Sequence, residues 1–460
     1  MTHGPRTDRR RGPRRRPDPA RRVAYDTLRA VHAADGYANL VLSDLLAERH
    51  LEARDAAFAT ELAHGTLRRE GTYDRILVLA SGRGLDTLQP AVVDVLRLGV
   101  HQLLGMRVPT HAAVGATVDL AAAAVGERVT GIVNAVLRKV AARDLDAWLD
   151  AVAEDATGVD ELALRTHHPV WIARAFEEVL GEETEAALEA DNAAPRTTLV
   201  VRPGLYERAD LVAAGAEPTP YSPYGAVWTG NPTGLEPVRE GRVGVQDEGS
   251  QLVALALSRA TAPAGPWLDL CAGPGGKTAL LAGLAAAAGD PLLASERQPH
   301  RARLVRSALR AYADGARLVI AADGTRPPWR PSTFARVLAD VPCTGLGALR
   351  RRPEARWRRR ESDLEDLVPL QTALLRTAVE SAMPGGVVAY VTCSPHRAET
   401  EDVVAGMVGQ GDVDVVDVPA LLPEVPDAAR GPYLQLWPQR HGTDAMFCAI
   451  LRRRGAGDPR

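Results

Sequence analysis

Two of the four cysteines in this chain lie in turns that follow apolar, strand-like segments. Cys343 stands in "ADVPCTG" and Cys393 in "YVTCSP". A cysteine thiolate that adds to C6 of a cytosine ring makes C5 nucleophilic enough to accept a methyl group, and a second thiol can assist the later release. An unperturbed thiol has a pKa of about 8.5, so the attacking cysteine would need a positive charge or a base nearby.

A glycine-rich segment between a predicted strand and a predicted helix, "LDLCAGPGGKTALLAGL", is a candidate ligand loop. A triphosphate-binding loop reads G-x-x-x-x-G-K-[ST], but Cys271 stands at its first glycine, and the glycines do not form G-x-G-x-x-G either. The third candidate ligand is S-adenosylmethionine, a cation without phosphates. The predicted cofactor-binding residues of the loop are Cys271, Ala272, Gly273, Pro274, Gly275, Gly276 and Lys277.

Three acidic residues end the predicted strands that follow this loop: Glu296, Asp323 and Asp340. A carboxylate about 20 residues past the loop can accept hydrogen bonds from ribose hydroxyls. Three carboxylates would repel a triphosphate, whereas they suit a sulfonium and an amino group. The acids therefore favour S-adenosylmethionine, although the strand that ends at Asp340 also resembles the magnesium-holding strand of triphosphate-hydrolysing proteins. Asp340 is also predicted to stabilise charge on a cytosine attacked at C6.

The elements that must position these residues form three predicted domains. Helical spacing without a convincing strand predicts an all-helical domain of six or seven helices over residues 23–150. Residues 151–240 combine a helix, "HPVWIARAFEEVLG", with a strand, "RTTLVVRP", and predict a small mixed α/β domain. Over residues 241–454 short apolar strands alternate with helices, which predicts a parallel, doubly wound sheet buried on both faces. Residues 455–460 are predicted to be a tail.

Arginines cluster in two places, although the net charge of the chain is only -3. The first cluster lies in residues 1–22, which we interpret as a disordered, arginine-rich leader. The second is "RRRPEARWRRR", where a tryptophan among the arginines offers a stacking surface for a nucleic acid base. The alternative for both clusters is a solvated surface without a ligand. The predicted RNA-binding residues are Arg350, Arg351, Arg352, Arg356, Trp357 and Arg358.

The composition indicates a globular protein of more than one domain, with 46% hydrophobic and 25% charged residues in 460. The chain has no run of 18 apolar residues and no apolar segment near its N-terminus, so we expect a cytoplasmic protein without a membrane partner. The cysteines form no C-x-x-C pair, and no metal site is expected. Cys448 lies in the apolar run "AMFCAIL" and is predicted to be a core residue. We expect a monomer.

With "CAGPGGKT", "ADVPCTG" and "VTCSPHRAETED" in this order, the chain resembles the RNA 5-methylcytosine methyltransferases of the Nol1/Nop2/Sun family. The resemblance implies that Cys393 is the nucleophile and that Cys343 assists release. It also implies a Rossmann-like domain that binds S-adenosylmethionine through the glycine loop, the three strand-end acids and Arg301. One departure is Thr344, where serine often follows the cysteine.

The N-terminal segments "FATELAHGTLRREGTYDRIL" and "GIVNAVLRK" resemble the NusB-type RNA-binding domain of the bacterial RsmB or Sun subgroup. The resemblance implies methylation of 16S ribosomal RNA, with transfer RNA as the alternative substrate. DNA cytosine-5 enzymes are disfavoured because they lack the T-C-S turn. A catalytically inactive, antitermination-like RNA-binding protein and a triphosphate hydrolase remain as different classes of function.

Overall fold

The computed structural model describes residues 17–34, 36–312 and 317–455. The chain divides into two compact units: the first ends at Ala173 and also includes Arg351–Arg358, and the second comprises Arg174–Arg350 and the chain from Arg359 onward. None of the helices in these ranges is long and apolar enough to cross a membrane. Most of the predicted leader and nearly all of the predicted tail lie outside the described residues.

Helices and strands are numbered in chain order. The helices are α1 (Pro19–Ala34), α2 (Ala38–Arg49), α3 (Ala53–Arg68), α4 (Glu70–Ser81), α5 (Pro90–Val100), α6 (Thr110–Ala124), α7 (Thr130–Val140), α8 (Leu145–Val152), α9 (Val159–Arg165), α10 (Val170–Leu180), α11 (Thr184–Ala190), α12 (Arg208–Ala213), α13 (Glu236–Glu240), α14 (Glu248–Arg259), α15 (Gly276–Ala287), α16 (Pro299–Ala308), α17 (Ala355–Arg358), α18 (Leu364–Ser381), α19 (Glu401–Val408) and α20 (Pro438–His441). The strands are β1 (Thr197–Val201), β2 (Glu217–Pro218), β3 (Gly225–Trp228), β4 (Val243–Val245), β5 (Trp267–Asp269), β6 (Leu292–Glu296), β7 (Arg317–Ala321), β8 (Phe334–Asp340), β9 (Ala382–Thr392), β10 (Val413–Val416), β11 (Ala429–Arg430), β12 (Tyr433–Gln435) and β13 (Phe447–Arg453).

The first unit is helical throughout the part of it that the structure describes, which confirms the predicted N-terminal all-helical domain. Apolar residues at helical spacing turn one stripe of each amphipathic helix inward. The buried stripes meet in one core, which includes Leu28, Leu62, Ile76, Leu96 and Leu137. Helix α1 begins at Pro19, so the end of the predicted leader is helical rather than disordered.

The N-terminal part of the second unit contains a small antiparallel sheet in the order β2-β3-β1-β4. The predicted strand at "RTTLVVRP" is β1, which lies between β3 and β4. Strand β4 leads directly into α14, and α14 carries the chain to the large sheet. The predicted strand is thus present, whereas a separate small domain over residues 151–240 stays a prediction, because the boundary between the two compact units falls between Ala173 and Arg174.

The large sheet has the order β11-β12-β13-β9-β8-β5-β6-β7, and β10 also pairs with β13. Strands β5 to β9 are parallel, as predicted, but β13 is antiparallel to β9 and to β10. The sheet is therefore mixed rather than wholly parallel, because β13 lies between β9 and β12 and runs antiparallel to both.

The strand order reverses beside β5. The chain continues from β5 outward through β6 and β7, and then returns to β8 on the other side of β5 and continues to β9. In open α/β sheets, ligands bind outside the carboxyl ends of the strands at such a reversal point. The loops that follow β5, β8 and β9 carry the glycine segment and the two cysteine turns, and this topology places them together.

Candidate active site

The glycine loop joins β5 to α15 and packs closely against its neighbours. Gly275 has a φ of 109°, a left-handed conformation that favours glycine, and a Cβ there would lie 2.8 Å from Cβ of Ala308. The loop ends at Gly276, where α15 begins. A larger residue at position 275 would collide with Ala308, so the loop needs glycine at this position.

Glu296 and Arg301 hold the loop from the neighbouring strand and helix. One oxygen of Glu296 accepts a hydrogen bond from the backbone N–H of Gly273 (3.0 Å), and the other accepts from the N–H of Gln298 (2.9 Å). Arg301 donates to the carbonyl oxygen of Gly273 (2.7 Å). The structure thus brings both predicted residues to the loop. The hydrogen bonds of Glu296 and Arg301 fix the backbone of the glycine loop at Gly273.

Asp323 has its hydrogen-bond partner within its own turn. Its carboxylate accepts from the backbone N–H and the hydroxyl of Thr325, at 2.9 and 2.8 Å. These two bonds lower the pKa of Asp323 below its ordinary value. Asp323 is therefore an ionised acid beyond the end of β7, next to the strand that ends at Glu296.

Lys277 and Asp340 form an ion pair between the glycine loop and the end of β8. Lys277 Nζ donates to Asp340 Oδ2 at 2.9 Å. Burial would lower the pKa of the Lys277 ammonium, but Asp340, Cys393 and Asp269 together raise it. Lys277 therefore stays charged at neutral pH. Because charge interactions are mutual, the Lys277 ammonium is a candidate activating group for the Cys393 thiol.

The two cysteine turns lie side by side because β8 and β9 are adjacent parallel strands. Asp340 is in register with Val391, and the Sγ atoms of Cys343 and Cys393 are 3.5 Å apart. The hydrogen bond to Cys393, together with burial, raises the pKa of the Cys343 thiol well above its ordinary value. Cys343 is thus a protonated thiol beside the second sulfur.

The other two cysteines have environments that oppose reactivity. Burial, with Asp269 nearby, raises the pKa of Cys271 well above its ordinary value. Burial also raises the pKa of Cys448 to about 12, and Cys448 lies fully buried in β13. Neither thiol forms a thiolate at neutral pH, which agrees with the backbone and core roles predicted for them.

Glu399 is a site residue that the sequence analysis does not identify. Its fully buried carboxylate accepts from the backbone N–H of Thr344 (2.8 Å), from the Thr344 hydroxyl and from the side-chain amide of Gln371 (2.9 Å). The Thr344 hydroxyl also contacts the hydroxyl of Ser394 at 3.1 Å. One carboxylate therefore joins the residues that follow the two cysteines. A serine at position 344 could make the same bonds, which accounts for the departure from the family pattern.

We predict that Glu399→Gln slows methyl transfer with little change in cofactor affinity. The amide of the new glutamine would place N–H groups against the donors of Thr344 and Gln371. A buried unpaired donor costs about 1–3 kcal/mol, and a loss of this size in the transition state slows the reaction roughly 5- to 150-fold. Single-turnover methylation and calorimetry with S-adenosylhomocysteine measure the two quantities. The control is Glu365→Gln, which changes an exposed acid of α18. A normal rate in Glu399→Gln would contradict the positioning role.

Arg350, the first residue of the arginine run, forms ion pairs within the second unit. Its side chain is largely buried and forms ion pairs with Asp247 (2.7 Å) and Asp444 (3.0 Å). Buried charges of this kind are paired because an unpaired one would be costly. Contact between this guanidinium and an RNA phosphate would require these ion pairs to break.

Residues 351–358 of the run belong to the first unit. The side chains of Arg356, Trp357 and Arg358 donate to backbone carbonyl groups of the helical unit, and Arg356 is fully buried. The accepting residues are Arg68, His167, Val31 and Gly36. Of the six predicted RNA-binding residues, Arg351 and Arg352 are the exposed ones. RNA binding by the run stays a prediction.

Two family models match the chain. The model described as 16S rRNA methyltransferase RsmB/F matches residues 255–452, which include the glycine loop and both cysteine turns. The model of the NusB family matches residues 18–142, in the helical unit. Together the two matches extend over both the helical unit and the large sheet.

Similar proteins cover nearly the whole chain. A Mycobacterium tuberculosis H37Rv protein named as a methyltransferase is 49% identical over 97% of this chain and 99% of its own length. The ribosomal RNA small subunit methyltransferase B of Vibrio cholerae is 32% identical, over 89% of this chain and 92% of its own length. Among solved structures, PH0851 is 21% identical and matches with a TM-score of 0.80, over 95% of this chain and 99% of that chain, which shows a shared fold.

Proposed function

Because the chain belongs to the RsmB/F family of S-adenosylmethionine-dependent RNA methyltransferases, we propose that it methylates C5 of a cytosine in 16S ribosomal RNA. The observation that carries this proposal is the pair of cysteine sulfurs 3.5 Å apart beside the ion pair of Lys277 and Asp340. Methylation at a ring nitrogen, an exocyclic amine or a ribose hydroxyl needs no thiol nucleophile, so the sulfur pair favours a pyrimidine carbon.

The residues around the glycine loop fit S-adenosylmethionine. Helix α15 begins at Gly276, and the N–H groups of its first turn have no partner within the helix, which suits a carboxylate. Glu296 keeps lone pairs beyond its two backbone contacts, and we assign it and Asp323 to the adenosine part of the cofactor. When bound, the cofactor supplies an electrophilic methyl group on a sulfonium.

In the first chemical step, we assign the attack to Cys393. Its thiolate sulfur forms a bond to C6 of the cytosine, and the electron pair of the C5–C6 double bond makes C5 nucleophilic. Lys277 holds positive charge close to Cys393 and keeps Asp340 in place. Asp340 is assigned to the N3 and exocyclic amine edge of the base, where its carboxylate can accept a hydrogen bond from the amine, and the Lys277 ammonium beside it offsets the negative charge that develops on the ring.

In the release step, we assign Cys343 to the methylated intermediate. The C5 proton must leave, and the Cys393–C6 bond must then break with its electron pair returning to sulfur. The main cause that raises the pKa of Cys343 is its hydrogen bond to Cys393. Covalent attachment of Cys393 removes this contact and its charge, so Cys343 can release its proton to solvent and, as a thiolate, accept the proton from C5.

The proposed substrate is tested by bisulfite sequencing of RNA from a strain in which the gene is deleted. We expect one 5-methylcytosine signal to disappear from 16S ribosomal RNA and to return when the gene is restored. A gene copy with Cys393→Ala, which should not restore the signal, is the matched control. A signal lost only from transfer RNA would contradict the proposed substrate, and an unchanged methylation pattern would contradict the activity.

A further inference from the structure

Gln246 is a buried amide without a hydrogen-bond partner among the described residues. Its side chain is 6% exposed, and neither Nε2 nor Oε1 has a hydrogen-bond partner in the part of the chain that the structure describes. An unpaired buried amide costs free energy, and most buried polar groups in proteins are paired. Both the donor and the acceptor of Gln246 are therefore available to a ligand.

Hydrogen bonds fix the backbone of Gln246 and of the residue that follows it. Gln246 follows β4 and precedes α14; its N–H donates to the carbonyl of Thr198 (3.0 Å), and its own carbonyl accepts from Gln251 Nε2 (3.0 Å). Asp247 caps α14 through the N–H of Gly249. These contacts, all within the second unit, hold the backbone at Gln246 and so limit where its side chain can lie.

The Gln246 amide faces the start of α15. A Cβ built on Gly276 would have the amide carbon of Gln246 as its nearest neighbour, at 3.9 Å, and no other group within 4 Å. The carbonyl of Gly276 accepts a hydrogen bond from Arg202, the residue that follows β1, at 3.3 Å. The unpaired amide therefore lies beside the first residue of a 12-residue helix, whose first N–H groups have no partner within the helix.

We propose that Gln246 recognises the α-amino-acid end of S-adenosylmethionine. Nε2 donates to the cofactor carboxylate, which also meets the N-terminus of α15, and Oε1 accepts from the cofactor ammonium. A neutral amide is suited to a zwitterion because it offers one donor and one acceptor side by side. The inference rests on the proposed cofactor and adds a determinant that lies outside the glycine loop.

The test compares two ligands that differ only at this end. S-adenosylhomocysteine carries the amino-acid group, and 5′-methylthioadenosine lacks it. We expect Gln246→Leu to weaken S-adenosylhomocysteine roughly tenfold, as the loss of charge-assisted hydrogen bonds implies, and to leave 5′-methylthioadenosine unchanged. Gln246→Glu keeps an acceptor but opposes the carboxylate, so it should weaken the same ligand at least as much. Titration calorimetry measures the affinity of the unchanged protein and of both variants for each ligand.

The control Gln410→Leu changes an exposed glutamine and should bind both ligands normally. Equal losses for both ligands in the Gln246 variants would indicate a structural role and overturn the inference, as would no loss for either. Weaker RNA binding with normal S-adenosylhomocysteine affinity would place the amide against the base and also overturn it. If the unchanged protein binds neither ligand, the proposed cofactor itself fails, which is a distinguishable result.

Discussion

Cys343→Ala is expected to accumulate a covalent complex with RNA, whereas Cys393→Ala should form none. With Cys393 intact, the sulfur still adds to C6 and C5 still accepts the methyl group. Without the second thiol, 3.5 Å away in the unchanged protein, removal of the C5 proton slows by roughly 10²- to 10⁴-fold, the usual contribution of a general base. The adduct therefore outlives the reaction.

Cys393→Ala removes the nucleophile itself. Multiple turnover should fall by about four orders of magnitude or more, as is typical when a covalent nucleophile is lost. Incubation of each variant with labelled 16S RNA and S-adenosylmethionine, followed by denaturing electrophoresis, separates the two outcomes. Cys448→Ala, which removes a buried thiol of β13, should methylate RNA and form no lasting adduct.

The outcome that would reverse the assignment is equally specific. A denaturant-resistant complex with Cys393→Ala, absent with Cys343→Ala, would make Cys343 the nucleophile. No complex with either single variant, while both lose activity, would instead point to a reaction without a covalent step. Mass spectrometry of the trapped peptide identifies the modified cysteine directly.

Lys277→Met is expected to reduce methyl transfer by roughly 10²- to 10³-fold, the range typical when one preorganised donor that stabilises a transition state is lost. Two effects combine. The positive charge that favours the Cys393 thiolate disappears, and the Asp340 carboxylate loses its 2.9 Å partner. Lys277→Arg keeps the charge and should retain part of the rate. Lys139→Met is the natural control, since position 139 holds the other lysine of the chain and is exposed.

The pH dependence separates an electrostatic role of Lys277 from a structural one. A positive neighbour favours the thiolate, so its removal moves thiolate formation to higher pH. In a Cys343→Ala background, alkylation of Cys393 by iodoacetamide should therefore begin at higher pH when Lys277 is methionine. Identical alkylation profiles, with unchanged thermal unfolding, would show that Lys277 does not act on the nucleophile.

The sequence by itself determined the local parts of this protein. Apolar spacing predicted the helical domain and the strands β5 to β9, because burial of one face depends on residues a few positions apart. The glycine loop and the turns at Cys343 and Cys393 could also be recognised from the sequence, because the residues of each motif are contiguous. The family resemblance then linked these motifs to cytosine methylation.

Only the tertiary structure decided which distant side chains meet. Glu399 looks like any acid after the T-C-S turn, but packing places it between Thr344 and Gln371. The arginine run looked like one continuous surface, yet Arg350 and Arg356 are buried in different units. Charge and hydrogen-bonding capacity are local properties of a residue, whereas its partner and its exposure depend on chain segments far away in sequence. The sequence therefore shows which groups are available, and the fold decides whether each binds a ligand or another part of the protein.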